Sequence, residues 1–84
     1  MTHFVYILLC KSKKNYSKTY VGYTTNLKKR LFYHNSNKGA KSTKGFNCVL
    51  VNFKLFKFKS DALKFEYLLK NKKKERSNFY KKII

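Results

Sequence analysis

Negative charge is scarce in this chain: 3 Asp plus Glu stand against 21 Lys plus Arg, for a formal net charge of +18. A polyanion is therefore the default partner. Proline and tryptophan are missing while Lys, Asn, Phe, Tyr and Ile are plentiful, the usage an AT-rich genome favours. Such bias raises Lys, but Glu and Asp codons are themselves fairly tolerant of AT, so it leaves the shortage of acids unexplained. Contact with nucleic acid explains it.

Cysteine is nearly absent too. Cys10 and Cys48 lack CxxC spacing and a neighbouring His cluster, which argues against a zinc site and a disulfide framework and for packed, reduced thiols in a cytosolic protein. No run approaches the ~20 apolar residues of a membrane span. Phe4–Cys10 is apolar, but no basic segment precedes it and no small-residue cleavage pattern follows, so it reads as a strand and not a signal peptide. The aromatics alternate with polar residues in strand-like runs instead of forming a basic amphipathic helix, which disfavours a membrane surface. The expectation is a soluble cytoplasmic protein associated with the nucleoid.

Eighty-four residues suit one domain, 1–84, with a single sheet and two or three helices. A chain this short buries only about 60 to 65% of its unfolded surface, so interior polar residues are informative. Phe4–Cys10 suits a central strand. Thr19–Tyr23 is a second short strand, pairing with the first as an antiparallel hairpin across the lysine-rich loop Lys11–Lys18. Cys48–Phe58 alternates, with Val49, Val51, Phe53 and Leu55 on one face until Phe56 and Phe58 reverse the parity, which places a bulge near Leu55. Thr24, Thr25 or Asn26 can cap a first helix, and Ser60 with Asp61 opens a second through about Lys72. Arg76–Ile84 forms a last short helical turn in which Phe79, Tyr80 and Ile83 are available for packing. The fold class is α+β: a three-stranded antiparallel sheet flanked by two main helices plus a short C-terminal helix, an α/β sandwich.

Both main helices carry polar residues on the face that should dock. Leu27, Arg30, Leu31 and His34 fall at i, i+3, i+4 and i+7, and so do Ala62, Phe65, Glu66 and Leu69. Of the acids, Asp61 and Glu75 suit helix ends and solvent. Glu66 sits where an unpaired carboxylate would cost several kcal/mol if fully buried, so it must face a cation, either an Arg or Lys or a metal.

Val5-Tyr6-Ile7 followed by Tyr20-Val21-Gly22 resembles the paired signature of the GIY-YIG nuclease superfamily, with the first glycine replaced by Val5. Arg30, ten residues after Tyr20, stands where the family's phosphate-contacting arginine lies, and His34 occupies its His-or-Tyr position. Glu66, inside ALKFE, matches the metal-binding glutamate, and Asn78, twelve residues on, fits the distal asparagine. The resemblance covers essentially the whole chain. It extends to the loop GAKSTKG, similar to that of small stand-alone bacterial members and of the catalytic domain of branched-DNA structure-specific endonucleases. It implies a DNA endonuclease in repair or recombination that hydrolyses phosphodiester bonds with one divalent ion, Mg²⁺ or Mn²⁺, held by Glu66. Both tyrosine hydroxyls would stand beside the attacking water.

Elementary chemistry is consistent with this. Phosphodiester hydrolysis needs an attacking water, a proton acceptor, charge stabilisation on the non-bridging oxygens and neutralisation of the leaving oxygen. Arg30 can supply a planar fork of donors. One interior acid cannot furnish a two-metal site, so one metal is expected. Tyrosine near pKa 10 is a poor base at neutral pH, so Tyr6 would need a pKa lowered by nearby cations, or His34 as proton acceptor. Gly22, Lys28, Lys29, Lys38, Lys41 and Lys44 are the expected DNA contacts. With phosphate contacts alone, little base specificity is expected. The alternative is a nucleic-acid-binding module that keeps the fold without turnover, with Glu66 paired to Arg30. Oligomeric state and a protein partner for targeting stay open.

Overall fold

The run that is apolar on both sides becomes the middle strand. A computed structural model describes residues 1–36 and 43–81. Within them the elements are β1 (His3–Ser12), β2 (Ser17–Thr24), α1 (Leu27–Asn35), β3 (Phe46–Phe56), α2 (Lys59–Asn71) and α3 (Lys73–Lys81). β1 lies between β2 and β3 and is antiparallel to both, so the fold is α+β with one antiparallel sheet. Lys38, Gly39, Lys41 and Ile83 lie outside the described residues.

A strand buried on both sides needs two apolar stripes, and β1 supplies them by simple alternation. Val5 and Ile7 join Val21 of β2, Ala62 and Leu69 of α2 and Phe79 of α3. Tyr6, Leu8 and Cys10 point the other way, with Cys48, and Leu27 and Leu31 of α1 pack on them. α1 thus covers one face of the sheet, while α2 and α3 cover the opposite one. No described helix is long and apolar enough to cross a membrane.

The β1–β2 loop is tighter than the sequence suggested, because the strands continue through Ser12 and resume at Ser17. Asn15 makes this possible by adopting a left-handed conformation at φ 67°, which asparagine tolerates better than most residues. The bulge also sits elsewhere than expected. Ile7 pairs with Asn52 and Leu8 with Leu50, leaving Val51 as the extra residue. The parity therefore switches at Val51 and not near Leu55. Cys48 and Leu50 face α1, Asn52 turns towards α3 and donates to the Phe79 carbonyl at 3.0 Å, and Val49, Phe53 and Leu55 are exposed.

The helices start and stop for identifiable reasons. Asn26 caps α1 by accepting from the Lys29 amide at 3.0 Å, as the sequence allowed. At the far end, Asn35 grips the edge strand β3 twice: its Nδ2 donates to the Cys48 carbonyl at 2.9 Å and its Oδ1 accepts from the Cys48 amide at 2.7 Å. α2 does not use Ser60 as its cap. It opens at Lys59 behind Phe58, which offers no side-chain hydrogen bond, so burial of Ala62 rather than capping sets the start. α3 is longer than a single turn, nine residues anchored by buried Phe79.

Gly22 stands directly opposite Tyr6 in the β1–β2 register. A Cβ built there would lie 2.5 Å from Tyr6 Cζ and closer still to its hydroxyl. The glycine makes room for the tyrosine ring on the neighbouring strand. Gly22→Ala should therefore cost about 1–3 kcal/mol by overpacking and lower Tm by several degrees, on a scale of roughly 4–8 °C per kcal/mol for a domain of this size. Urea or thermal unfolding checks this, and a change below about 0.5 kcal/mol, the scale of ordinary surface substitutions, would contradict it.

Candidate active site

Tyr6 rises from the middle of β1 on the face covered by α1, where the last turn of α1 brings His34 over it. The Tyr6 hydroxyl lies 2.9 Å from His34 Nε2. On the other side of the ring, His34 Nδ1 lies 2.9 Å from Thr43 Oγ1. His34 is fully buried and Thr43 and Tyr6 are each only 1% exposed, so the imidazole is held in a dry slot between two hydroxyls. Tyr20, from β2, closes the third side with its ring edge-on to His34 at 4.9 Å and 6.3 Å from the ring of Tyr6.

The charged residues surround this slot rather than enter it. Arg30, which the helical spacing put on the docking stripe, is exposed, while Leu27 and Leu31 do the packing. Its charge still acts on both Tyr6 and His34. Glu66 is mostly buried and pairs with Lys70 at 3.1 Å, one turn along α2. The cation that Glu66 requires is thus supplied within its own helix, and the expected alternative of an Arg30–Glu66 pair does not form.

Burial is the main influence on the titration of both central groups. It lowers the pKa of His34 below 6.5, and the Arg30 guanidinium lowers it further, so the ring is neutral at physiological pH. Burial also pushes the Tyr6 phenol well above its ordinary value, reinforced by Tyr20 and Glu66 and only partly opposed by Arg30. Nearby cations therefore do not make Tyr6 a standing base, contrary to one of the two routes open from the sequence. The Tyr6 hydroxyl is hydrogen-bonded to His34.

The remaining sequence candidates separate. Asn78 is exposed and lines a cavity with Lys54, Phe65 and Glu75, and the structure does not bring it to the Tyr6–His34 slot. Lys28, Lys29 and Lys44 are exposed; Lys29 extends its ammonium over the ring of Tyr33 at 5.6 Å. Sequence reasoning missed Thr43 as the partner of His34, Asn35 as the clamp that fixes the end of α1, and Lys70 as the partner of Glu66. Only Lys70 carried a readable signal, the i,i+4 Glu-to-Lys spacing on one helix.

No group of three or more His, Cys, Asp or Glu converges among the described residues. That donor set does not fit a two-metal centre. It fits a single Mg²⁺ or Mn²⁺, which is satisfied by one carboxylate together with waters and substrate phosphate oxygens, and Glu66 is the carboxylate available.

The GIY-YIG catalytic domain family matches residues 2–81. A UPF0213 protein of Staphylococcus haemolyticus is 45% identical over 69 residues, covering 81% of this chain and 79% of that protein. One from Lactococcus lactis is 46% identical over 72 residues, covering 84% and 69%. Among solved structures, the solution NMR structure of a UPF0213 protein from Bacillus halodurans is 37% identical, covers 96% of this chain and 86% of its own, and superposes with a TM-score of 0.48. With a paired tyrosine signature on adjacent strands and a match over nearly its whole length, the chain belongs to the GIY-YIG nuclease superfamily.

Proposed function

We propose that this protein is a divalent-metal-dependent DNA endonuclease, acting in repair or recombination, and that Tyr6 and His34 move the proton of the attacking water. The observation that carries this reading is the 2.9 Å hydrogen bond between Tyr6 Oη and His34 Nε2. With Nδ1–H donating to Thr43, Nε2 is the acceptor for the Tyr6 hydroxyl proton. Tyr6 can then take a proton from water as it passes its own to His34. A phenol with a raised pKa is a competent participant in such a relay, because a free tyrosinate never accumulates. General acid–base assistance of this kind contributes about 10²–10⁴ in rate.

The other residues have complementary tasks. Arg30 is free at the surface to meet the non-bridging oxygens with a fork of donors that a lysine could not reproduce. Tyr20 closes the slot over His34 and keeps water from the ring. Glu66 would hold one divalent ion, which when bound supplies charge to neutralise the leaving oxygen. Lys28, Lys29 and Lys44 would contact phosphates, which position a nucleic acid without reading its sequence.

A binding module without turnover is the competing reading, and the Glu66–Lys70 ion pair is what favours it, since it already occupies the carboxylate. A nicking assay on plasmid, single-stranded and branched DNA separates the two. Wild type should cut at least one substrate with Mg²⁺ or Mn²⁺ and not with EDTA. Glu66→Ala should be inactive, and Tyr6→Phe should lose roughly 10²-fold or more while DNA affinity stays within about twofold. Absence of metal-dependent cleavage on every substrate overturns the enzyme reading, and near-normal cutting by Tyr6→Phe removes it from the mechanism.

The pH dependence follows from the lowered pKa of His34. The relay needs the neutral ring, so cleavage should persist as pH falls to about 6.5 and drop only below it. Stability should follow the same direction. The unfolded chain binds the histidine proton near pH 6.5 whereas the folded one resists it, so stability is full above about 6.5 and declines as pH falls below. A ring-proton titration of His34 by NMR should give a midpoint under 6.5; one above that value would contradict the assignment.

A further inference from the structure

A second cationic feature lies outside the slot, on the edge of the sheet that β2 leaves open. A groove runs from Tyr20 and Lys70 past Thr19 to Arg76, and it continues from Thr19 and Arg76 to Lys73 and Ser77 at the start of α3. Both of its connections to the proposed catalytic residues are direct. Tyr20 sits edge-on to His34 at 4.9 Å, and Lys70 lies 3.1 Å from Glu66.

Arg76 is built into this groove rather than loosely attached. Its Nη1 donates to the carbonyls of Leu69 and Lys70, each at 3.3 Å, where α2 ends. That contact fixes the plane of the guanidinium, and among the described residues its Nη2 and Nε form no further hydrogen bond. Lys73 is exposed at the other end, with the hydroxyls of Thr19 and Ser77 between. One acid reaches the groove, Glu66, and it pairs with Lys70, whereas no ion pair is formed by Arg76 or Lys73 among the described residues. Asp61 lies in the first turn of α2, and Glu75 lines the cavity with Asn78.

We infer that this groove is a phosphodiester-backbone site, seating phosphate of the same nucleic-acid strand that reaches Tyr6, beyond the scissile position along the β2 edge. The inference rests on the nuclease reading for its strand polarity but not for its chemistry. A tethered guanidinium, an ammonium and two hydroxyls match a phosphodiester oxygen set.

The test is the salt dependence of binding to a short duplex oligonucleotide in EDTA. Wild type is compared with Lys73→Gln, Arg76→Lys and a control, Lys64→Gln, on the outward side of α2. Removing one charged partner of a phosphate should flatten the slope of log K against log[salt] by about 0.9. Lys73→Gln should show that change and Lys64→Gln should not. Arg76→Lys keeps the charge but loses the fork, so affinity should fall severalfold with little change in slope. Unchanged slope in Lys73→Gln overturns the groove whether or not Arg76→Lys folds. If wild type then still nicks with metal, only the groove has failed. If Lys73→Gln flattens the slope but wild type cuts nothing, the groove stands and the nuclease reading falls.

Discussion

His34 is fully buried, and a buried imidazole must satisfy both ring nitrogens or forfeit about 1–3 kcal/mol for each one left without a partner. Here the two partners are hydroxyls from different parts of the chain, Tyr6 on the central strand and Thr43 just before β3. Much of the surrounding construction serves that arrangement. Gly22 withholds a side chain so that the Tyr6 ring can lie across β2. Asn35 clamps the end of α1 onto β3 through both amide atoms. Leu27 and Leu31 fill the space beneath the helix.

The dry slot decides which acid–base roles are open. Burial keeps the histidine neutral and the phenol protonated, so neither group is charged in the resting state. A proton can still pass through the pair without leaving an isolated charge in a low-dielectric site. The charged groups stay outside the pair: Arg30 is exposed, and Glu66 is paired with Lys70. A neutral buried pair beside exposed cations is what a strongly basic chain with one inward carboxylate can build.

Much of this was legible from residue spacing. The double-sided apolar run announced the central strand, and the i, i+3, i+4, i+7 patterns announced helices whose docking faces carried His34 and Glu66. The paired tyrosine signature announced the family. What was not legible depends on tertiary register. The bulge at Val51 shows only when β3 is laid against β1. The roles of Thr43 and Asn35 depend on where the chain returns after α1, which no local pattern fixes. Arg30 and Asn78 mark the opposite limit, because sharing a helix with buried residues did not bury either of them. The cationic groove at Arg76 was hidden because a lysine-rich sequence gives no hint of which charges converge.

The claim that Tyr6 and His34 act as one proton-transfer unit is tested most directly by single-turnover cleavage in a double-mutant cycle of Tyr6→Phe, His34→Gln and the pair. A relay predicts that either change disables it, so the double variant loses no more rate than the more damaged single variant. Losses that add in free energy would mean that the two residues work independently, and the relay would be wrong.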